Sequence, residues 1–451
     1  MYKRQFQEGL QPSAITTATF LVNVYHSLPI ICLVCDPDDL YNETDGILAV
    51  GTEEDFSSVP FDDAVYWLKT PHPGNFEYFT AEGVSQLNQG VELQLNGQYS
   101  LDQAQKSWRI TAKAKYGGET LDYPFFDDRP YTSYHALILR NGGQDGKYTR
   151  IIDALQGVIV DWTGSDIFHM AYKPVVVYLN GQYWGQYNLR ERINKYSIAD
   201  YEGWSDPDAI DLIKGDDEVI GQTSRYDNYG ELKAFVNSHN LAEDPEALQT
   251  VLDWVDVDNY FDFMIFQIYF GNTDAGNIKF YRQRVEGAKW RWCLFDLDWG
   301  YFNSTTNGCK VWLDPNGAGD KDFENWLILS LLEVPELKDQ FLTRFGQLFQ
   351  EVFSDTERIW AQAQAMAAVI QPELMFHYNR WAGETSKLLT EEPDTPEGNY
   401  SYWEQRMERL HNVLKKRPNL CWEHIRDWFG MTDAEMEAYF GPQPEMPADA
   451  I

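Results

Sequence analysis

Asp274, Asn277, Asp296 and Asp298 stand at the ends of two short apolar runs within residues 271–301, GNTDAGNIKFYRQRVEGAKWRWCLFDLDWGY. Asp274 and Asn277 precede IKFYRQ, and Asp296 and Asp298 close KWRWCLFDL. The runs read as strands joined by a charged turn, and their similar length brings Asn277 and Asp296 to one edge of a hairpin. An amide oxygen and two carboxylates are gathered there, with a third carboxylate nearby. Hard oxygen donors suit Mg²⁺ or Mn²⁺, and those cations in turn suit phosphates. Taken singly, each of these residues also has a structural reading, as a turn or cap residue.

The segment before the hairpin adds to the chemical reading. The run VDNYFDFMIFQIYFGN predicts a helix that leads into the loop carrying Asp274. Helix, acidic loop, hairpin and a further Asp is the element order of the lower half of a kinase-like phosphoryl-transfer site. In that order Asp274 is the candidate catalytic base, and Asn277 and Asp296 are candidate metal ligands. Asp298 is either an additional ligand or a cap.

Such a site needs elements on both sides of it. From Leu28 to about Ile193 the chain is strand-rich, with LPIICLVCD, GVELQLNG, KSWRITAKAKY, YHALILRN, KPVVVYLNG and YWGQYNLRERI. Asn-Gly at 180–181 predicts a hairpin with a type I′ turn. One helix, KYTRIIDALQGVIVDW, interrupts this half; from roughly residue 200 the pattern turns helical, with a long loop over 303–322. The expected division is an irregular lead-in over 1–27, a β-rich lobe over 28–193, an α-rich lobe carrying the hairpin over 194–440 and a tail over 441–451.

Composition narrows the partners. The 451 residues hold 36 Lys plus Arg against 70 Asp plus Glu, a formal net charge of −34. Such a surface repels nucleic-acid phosphates and anionic membranes. A nucleotide would need a local basic cluster or a divalent cation to reverse the field. No run approaches the ~18 apolar residues of a membrane span, and the basic start MYKRQFQEG is not followed by a secretory apolar core. Cys32 and Cys35 form C-x-x-C inside a strand-like run, where alternation sends them to opposite faces; they read as core residues and not as a metal pair.

Taken jointly, KPVVVYLNGQYWGQYNLRERI, GNTDAGNIKFYR and WRWCLFDLDWGY, supported by LILRNGG…TRIIDAL and KKRPN…WFG, resemble the spore-coat CotH kinase family. The resemblance spans about residues 28–430. It implies a two-lobed, protein-kinase-like α+β fold and an ATP-dependent kinase acting on Ser or Thr of protein substrates, with Mg²⁺ or Mn²⁺ as cofactor. Asp274 matches the family's catalytic aspartate and Asp296 its metal-binding aspartate. LNGQYSLDQAQKSWRI is similar to the family's phosphate loop, which makes Gly97, Ser100 and Lys106 candidate phosphate contacts and Arg140 a second cation. Lys106 and Arg140 fit a solvated strand end as well. Glu191 either contacts nucleotide or pairs with Arg190 or Arg192. The implied substrates are coat or surface proteins, in a spore-coat or extracellular setting. The sequence departs from ordinary kinases in lacking G-x-G-x-x-G before Lys106, and it reads Asp-Leu-Asp at the Asp-Phe-Gly position.

Two other classes compete. A catalytically inactive, CotH-like coat or secreted binding module would use the same scaffold without turnover. A phosphatase of the haloacid dehalogenase type would take Asp296 and Asp298 as its D-x-D pair, but Trp299 and Gly300 follow, and no βαβ series surrounds the motif.

Overall fold

The computed structural model describes residues 2–3, 8–9, 16–51, 64–215, 218–219, 227–315, 325–384 and 393–447. The strands that build its two main sheets are β1 (Ile30–Cys35), β2 (His72–Phe79), β3 (Ser85–Asn96), β4 (Ser107–Ala112), β5 (Ala136–Arg140), β6 (Phe168–His169), β7 (Tyr172–Leu179), β8 (Gln182–Glu191), β9 (Ile210–Lys214), β10 (Glu218–Val219), β11 (Lys279–Gln283) and β12 (Arg291–Leu294). The helices that matter for the site are α1 (Ile152–Trp162), α2 (Val257–Phe270), α3 (Gly308–Leu313), α4 (Thr356–Trp381) and α5 (Pro396–Phe429). The lead-in and the tail are described only in part.

Seven strands close into a barrel in the order β7-β8-β5-β4-β3-β2-β1. Neighbours are antiparallel until the seam, where β7 pairs in parallel with β1, Val176 opposite Ile30 through Leu179 opposite Leu33. The pairing follows from side-chain alternation. Ile31, Leu33 and Cys35 of β1, Leu93 and Leu95 of β3, and Val175 and Val177 of β7 point into one buried cluster fed by all seven strands. Ile30, Cys32 and Val176, one residue out of phase, belong to a second cluster with Leu28 and Phe79. Cys32 and Cys35 thus lie on opposite faces, and all five cysteines are free and buried.

This barrel corrects the expected fold. Among the described residues there is no kinase-like two-lobe sheet; there is a closed seven-stranded barrel in the N-terminal half and a largely helical C-terminal part. Sequence reading missed β2, whose run HPGNFEYF begins with a Pro and a Gly that read as a break. It also had no means of seeing the parallel β7–β1 seam, whose partners are far apart in the chain.

The chain forms two compact units: residues 1–148, 171–192 and 366–404 in one, and 149–170, 193–365 and 405–451 in the other. In the barrel unit, the C-terminal half of α4 lies against β8. Trp381 Nε1 donates to Trp184 O (2.8 Å) and His377 Nδ1 accepts from Gln186 N (3.3 Å). The β7–β8 hairpin turns on Asn180 and Gly181, with φ of 49° and 81°, the positive pair a type I′ turn requires. Further along, the register slips so that Tyr178 faces Tyr183 while Val177 faces Gly185, leaving Trp184 as the extra residue of a bulge.

The second unit holds a five-stranded sheet, β6-β12-β11-β9-β10, with β11 and β12 antiparallel. The hairpin read from IKFYRQ and KWRWCLFDL is this β11–β12 pair. β9 was not anticipated: its five residues sit between an Asp-Pro turn and Gly215, in a stretch whose surroundings are helical. The 303–322 loop is also corrected over its described part. Asn307 caps α3 by accepting from Lys310 N, and Cys309, Val311, Trp312 and Leu313 bury its face. Residues 316–322 of that segment lie outside the described residues.

Gly185 tests the bulge. Its φ is 118°, and a Cβ there would stand 2.7 Å from Trp381 Nε1 and 3.0 Å from His377 Nδ1. Gly185→Ala is expected to destabilise the protein by on the order of 2–4 kcal/mol, through strain and overpacking together. Thermal and urea unfolding of the variant against wild type check this; an unchanged midpoint would mean that the α4–β8 contact yields freely.

Candidate active site

Helix α2 positions the acidic loop. Every residue of it except Asp258 is buried, and it ends on Gly271, whose φ of 66° forms the left-handed cap. Asn272, fully buried, sets the path of the loop beyond that cap. Its Nδ2 donates to Gln267 Oε1 (2.9 Å), its Oδ1 accepts from Asp274 N (3.1 Å), and its carbonyl accepts from Trp312 Nε1 (2.8 Å). Asp274 is therefore delivered by a loop braced from both the helix and α3.

The other side of the site comes from the end of β12. Lys279 pairs with Cys293, so continuing both strands past that pair carries Asn277 and Asp296 to the same edge. The side chains meet there. Asn277 Nδ2 donates to Asp274 Oδ2 (2.6 Å) and to Asp296 Oδ2 (3.1 Å), so one amide spans both carboxylates. All three residues are half-buried. Asp298 lies two residues further on and is fully buried.

Asp296 carries a φ of 57°, costly for a residue with a Cβ. Helix α1 holds it in place. Asp153 Oδ1 accepts from Leu297 N (3.0 Å), and Gln156 Nε2 donates to Leu297 O (2.6 Å), so both backbone groups after Asp296 are pinned. Gly300 allows Gln156 this close, since a Cβ there would fall 2.1 Å from its Oε1. Asp153 lies inside the TRIIDAL motif and Gln156 directly after it, yet neither stands out from the sequence as a site residue.

The five candidate nucleotide-binding residues, Gly97, Ser100, Lys106, Arg140 and Glu191, belong to the barrel unit. Gly97 (φ 118°) is where the chain passes so close that a Cβ would lie 2.3 Å from Ser100 Oγ. Lys106 Nζ donates to Leu101 O (2.6 Å) and Gln103 O (3.2 Å) and rests 4.0 Å above the Tyr66 ring. Tyr66 in turn donates to Asp102 Oδ1 (2.9 Å), so the turn after Gly97 is tied to its own lysine. Arg140 ends β5 opposite Asn188. Glu191, fully buried, accepts from Arg129 Nε (2.9 Å) and Tyr131 OH (2.6 Å), neither of which is a neighbour weighed from the sequence. Burial raises the Glu191 pKa, and the Arg129 guanidinium opposes that shift.

With this geometry in place, the family comparison is decisive. A family model described as CotH kinase protein matches residues 93–421. The chain belongs to the CotH kinase family. Comparison with curated proteins finds no match. The matched range contains the barrel strands from β4 onward, the Asp274–Asp298 hairpin and Arg417 of the KKRPN motif.

Arg417 is the largest feature the sequence reading left without a role. It is buried on α5 and donates to Tyr269 O (2.5 Å), Ile268 O (2.7 Å), Ser304 O (3.4 Å) and Thr306 O. It closes the C-terminus of α2 directly before the Asp274 loop.

Lys106 supplies a pH test. Burial lowers its pKa to about 8, against the opposing pull of Asp102. The unfolded value is near 10.4. Between these values the unfolded chain holds a proton that the folded chain has released, so stability contributed here rises with pH across that window. Lys106→Met is expected to remove that rise, on the order of 2 kcal/mol between pH 8 and 10.4. The readout is the slope of the difference in urea stability between wild type and variant; parallel curves would mean the ammonium stays charged.

Proposed function

We propose that this member of the CotH kinase family transfers the γ-phosphoryl group of ATP to Ser or Thr hydroxyls of protein substrates with a divalent cation. The observation that carries the reading is the Asn277 amide between the Asp274 and Asp296 carboxylates. Among the described residues, no group of three or more His, Cys, Asp and Glu side chains is arranged to hold a metal. A pair of carboxylates with an amide nonetheless fits Mg²⁺, which keeps several waters and is held by one or two carboxylates plus substrate phosphates. Asp296 and Asn277 would hold the ion, with Asp298 a further oxygen nearby. Bound there, it would supply neutralisation of charge on phosphate oxygens.

The chain's own residues would do the rest. Asp274, half-buried and oriented by Asn277 and by the Asn272 turn, takes the proton of the substrate hydroxyl. That oxygen forms the new bond to the γ-phosphorus as the bond to the β,γ-bridging oxygen breaks and ADP leaves. Asn277 keeps two like charges side by side by donating to both. Asp153 and Gln156 act as positioning residues, because they hold the backbone after Asp296.

A second reading, a catalytically inactive binding module, draws on one observation: Lys106 Nζ is engaged by carbonyls of its own turn. One experiment separates the two. Asp274→Asn is expected to keep Mg²⁺-dependent ATP binding while lowering phosphate transfer to a Ser-rich peptide by roughly 10²–10⁴-fold. Asp296→Asn is expected to weaken metal-dependent nucleotide binding itself. Calorimetric titration with MgATP and radiolabel transfer report the two quantities separately. Equal loss of binding in both variants overturns the division of roles; wild type that neither binds ATP nor labels any peptide overturns the kinase reading.

A further inference from the structure

Outside the residues of the acidic hairpin, α5 buries an apolar stripe that includes Met407, Leu410 and Leu414 and carries a polar stripe on its more exposed side. Gln405, Arg409, Asn412 and Lys416 recur at helical spacing and line one side of a cavity of about 350 Å³. Asn303 and Ser304 line the other side. Among the described residues, Val413 is the one apolar side chain in the lining, and Glu408 is its one carboxylate. Two cations against one acid make the cavity net positive in a chain whose formal charge is −34. A local reversal of sign on so acidic a molecule selects for an anion.

The wall is held in place. Arg417, one residue beyond Lys416, takes the carbonyls of Ser304 and Thr306. Arg409 Nη2 donates to Phe302 O (3.2 Å), and its guanidinium lies 5.5 Å from the Phe302 ring centroid. One of its five N–H groups is spent on that carbonyl, which leaves others for an oxyanion. The volume falls in the range of small-ligand sites.

The lining also discriminates among anions. A nucleotide base wants an aromatic or apolar face, and among the described residues no aromatic ring lines this cavity. The amides of Gln405 and Asn412 each offer a donor and an acceptor, which is what peptide N–H and C=O groups require, and Asn303 adds its Nδ2 donors while its Oδ1 accepts from Thr305 N (3.2 Å) and Oγ1 (3.0 Å). Arg409 and Lys416 suit a phosphate monoester. We propose that this cavity recognises a phosphorylated Ser or Thr together with its flanking backbone, separately from the Asp274–Asp296 site. The ligand is the product class of the reaction proposed above, and the inference rests on that reading only for the origin of the phosphopeptide. Its consequence would be retention of an already modified substrate while further hydroxyls are presented.

The test uses full-length protein in EDTA without nucleotide, so that failure of the kinase reading leaves it unaffected. The probes are a fluorescein-labelled, otherwise uncharged peptide with one phosphoserine, its unphosphorylated twin, and inorganic phosphate as competitor, read by anisotropy. The phosphopeptide is expected to bind at least roughly tenfold more tightly than its twin, and Arg409→Gln/Lys416→Gln to lose roughly tenfold or more. Asn412→Asp, which adds a negative charge without removing a cation, is expected to weaken binding as well. Asp296→Asn is expected to retain it. Equal binding of the two peptides, unchanged binding in a double variant with a wild-type melting curve, or loss in Asp296→Asn each overturn the proposal. Inorganic phosphate competing as well as the phosphopeptide overturns the peptide as the source and leaves a free-anion site.

Discussion

The buried guanidinium of Arg417 is the contact on which the organisation of the second unit depends. A helix as enclosed as α2 has its last carbonyls cut off from water, and each one left unpaired would cost roughly 1–3 kcal/mol. Arg417 pairs with Tyr269 O, adds a second donor to Ile268 O, which Gly271 N also reaches (3.2 Å), and extends to Ser304 O and Thr306 O. One side chain therefore joins the end of α2, the segment after the acidic hairpin, and α5. Gly271 makes the approach possible: its φ of 66° terminates the helix, and a Cβ there would press within 3.2 Å of the guanidinium. A cation at a helix C-terminus is also favoured by the helix dipole. The loop that carries Asp274 begins at this junction.

From there the site is built by restraining groups that would otherwise move apart. Asp274 and Asp296 repel, and Asn277 donates to both. The left-handed backbone at Asp296 persists because Asp153 and Gln156 hold the N–H and the C=O of the next residue, Leu297. Strain of this sort endures only where the surroundings over-determine it. The helix supplying both restraints lies far earlier in the chain, a separation of 144 residues for Asp153 and Leu297. Both residues come from the same compact unit as the hairpin, which includes residues 149–170.

The features legible in the sequence were those that local chemistry encodes. The β11–β12 hairpin and the meeting of Asn277 with Asp296 follow from strand length alone. The type I′ turn at Asn180–Gly181 follows from positive φ, and the separation of Cys32 from Cys35 from a two-residue period. Closure of the barrel was not legible, because the parallel β7–β1 seam is a choice between distant partners that no local pattern states. β2 was hidden by its own Pro and Gly. The roles of Asp153, Gln156 and Arg417 were hidden differently: an acid early in a helix, a mid-helix amide and a basic KKR run each have common surface explanations. Only the backbone groups they reach distinguish them.

Charge connects these features to the proposed chemistry. Two carboxylates sharing one amide, on a chain of net charge −34, form a poor place for a polyphosphate unless a cation intervenes. The amide offsets part of the repulsion but carries no net charge, so the pair retains attraction for a small hard cation. In the proposed reaction the same acidity would favour departure of ADP, because the surrounding field opposes an anion. The cationic face of α5 would act in the reverse sense. It is short-ranged under physiological screening, about 8 Å, so it would hold a phosphate already within the cavity without reversing the field that long-range approach encounters. Rejection of anions in general and retention of one kind of anion locally are compatible because screening separates their ranges.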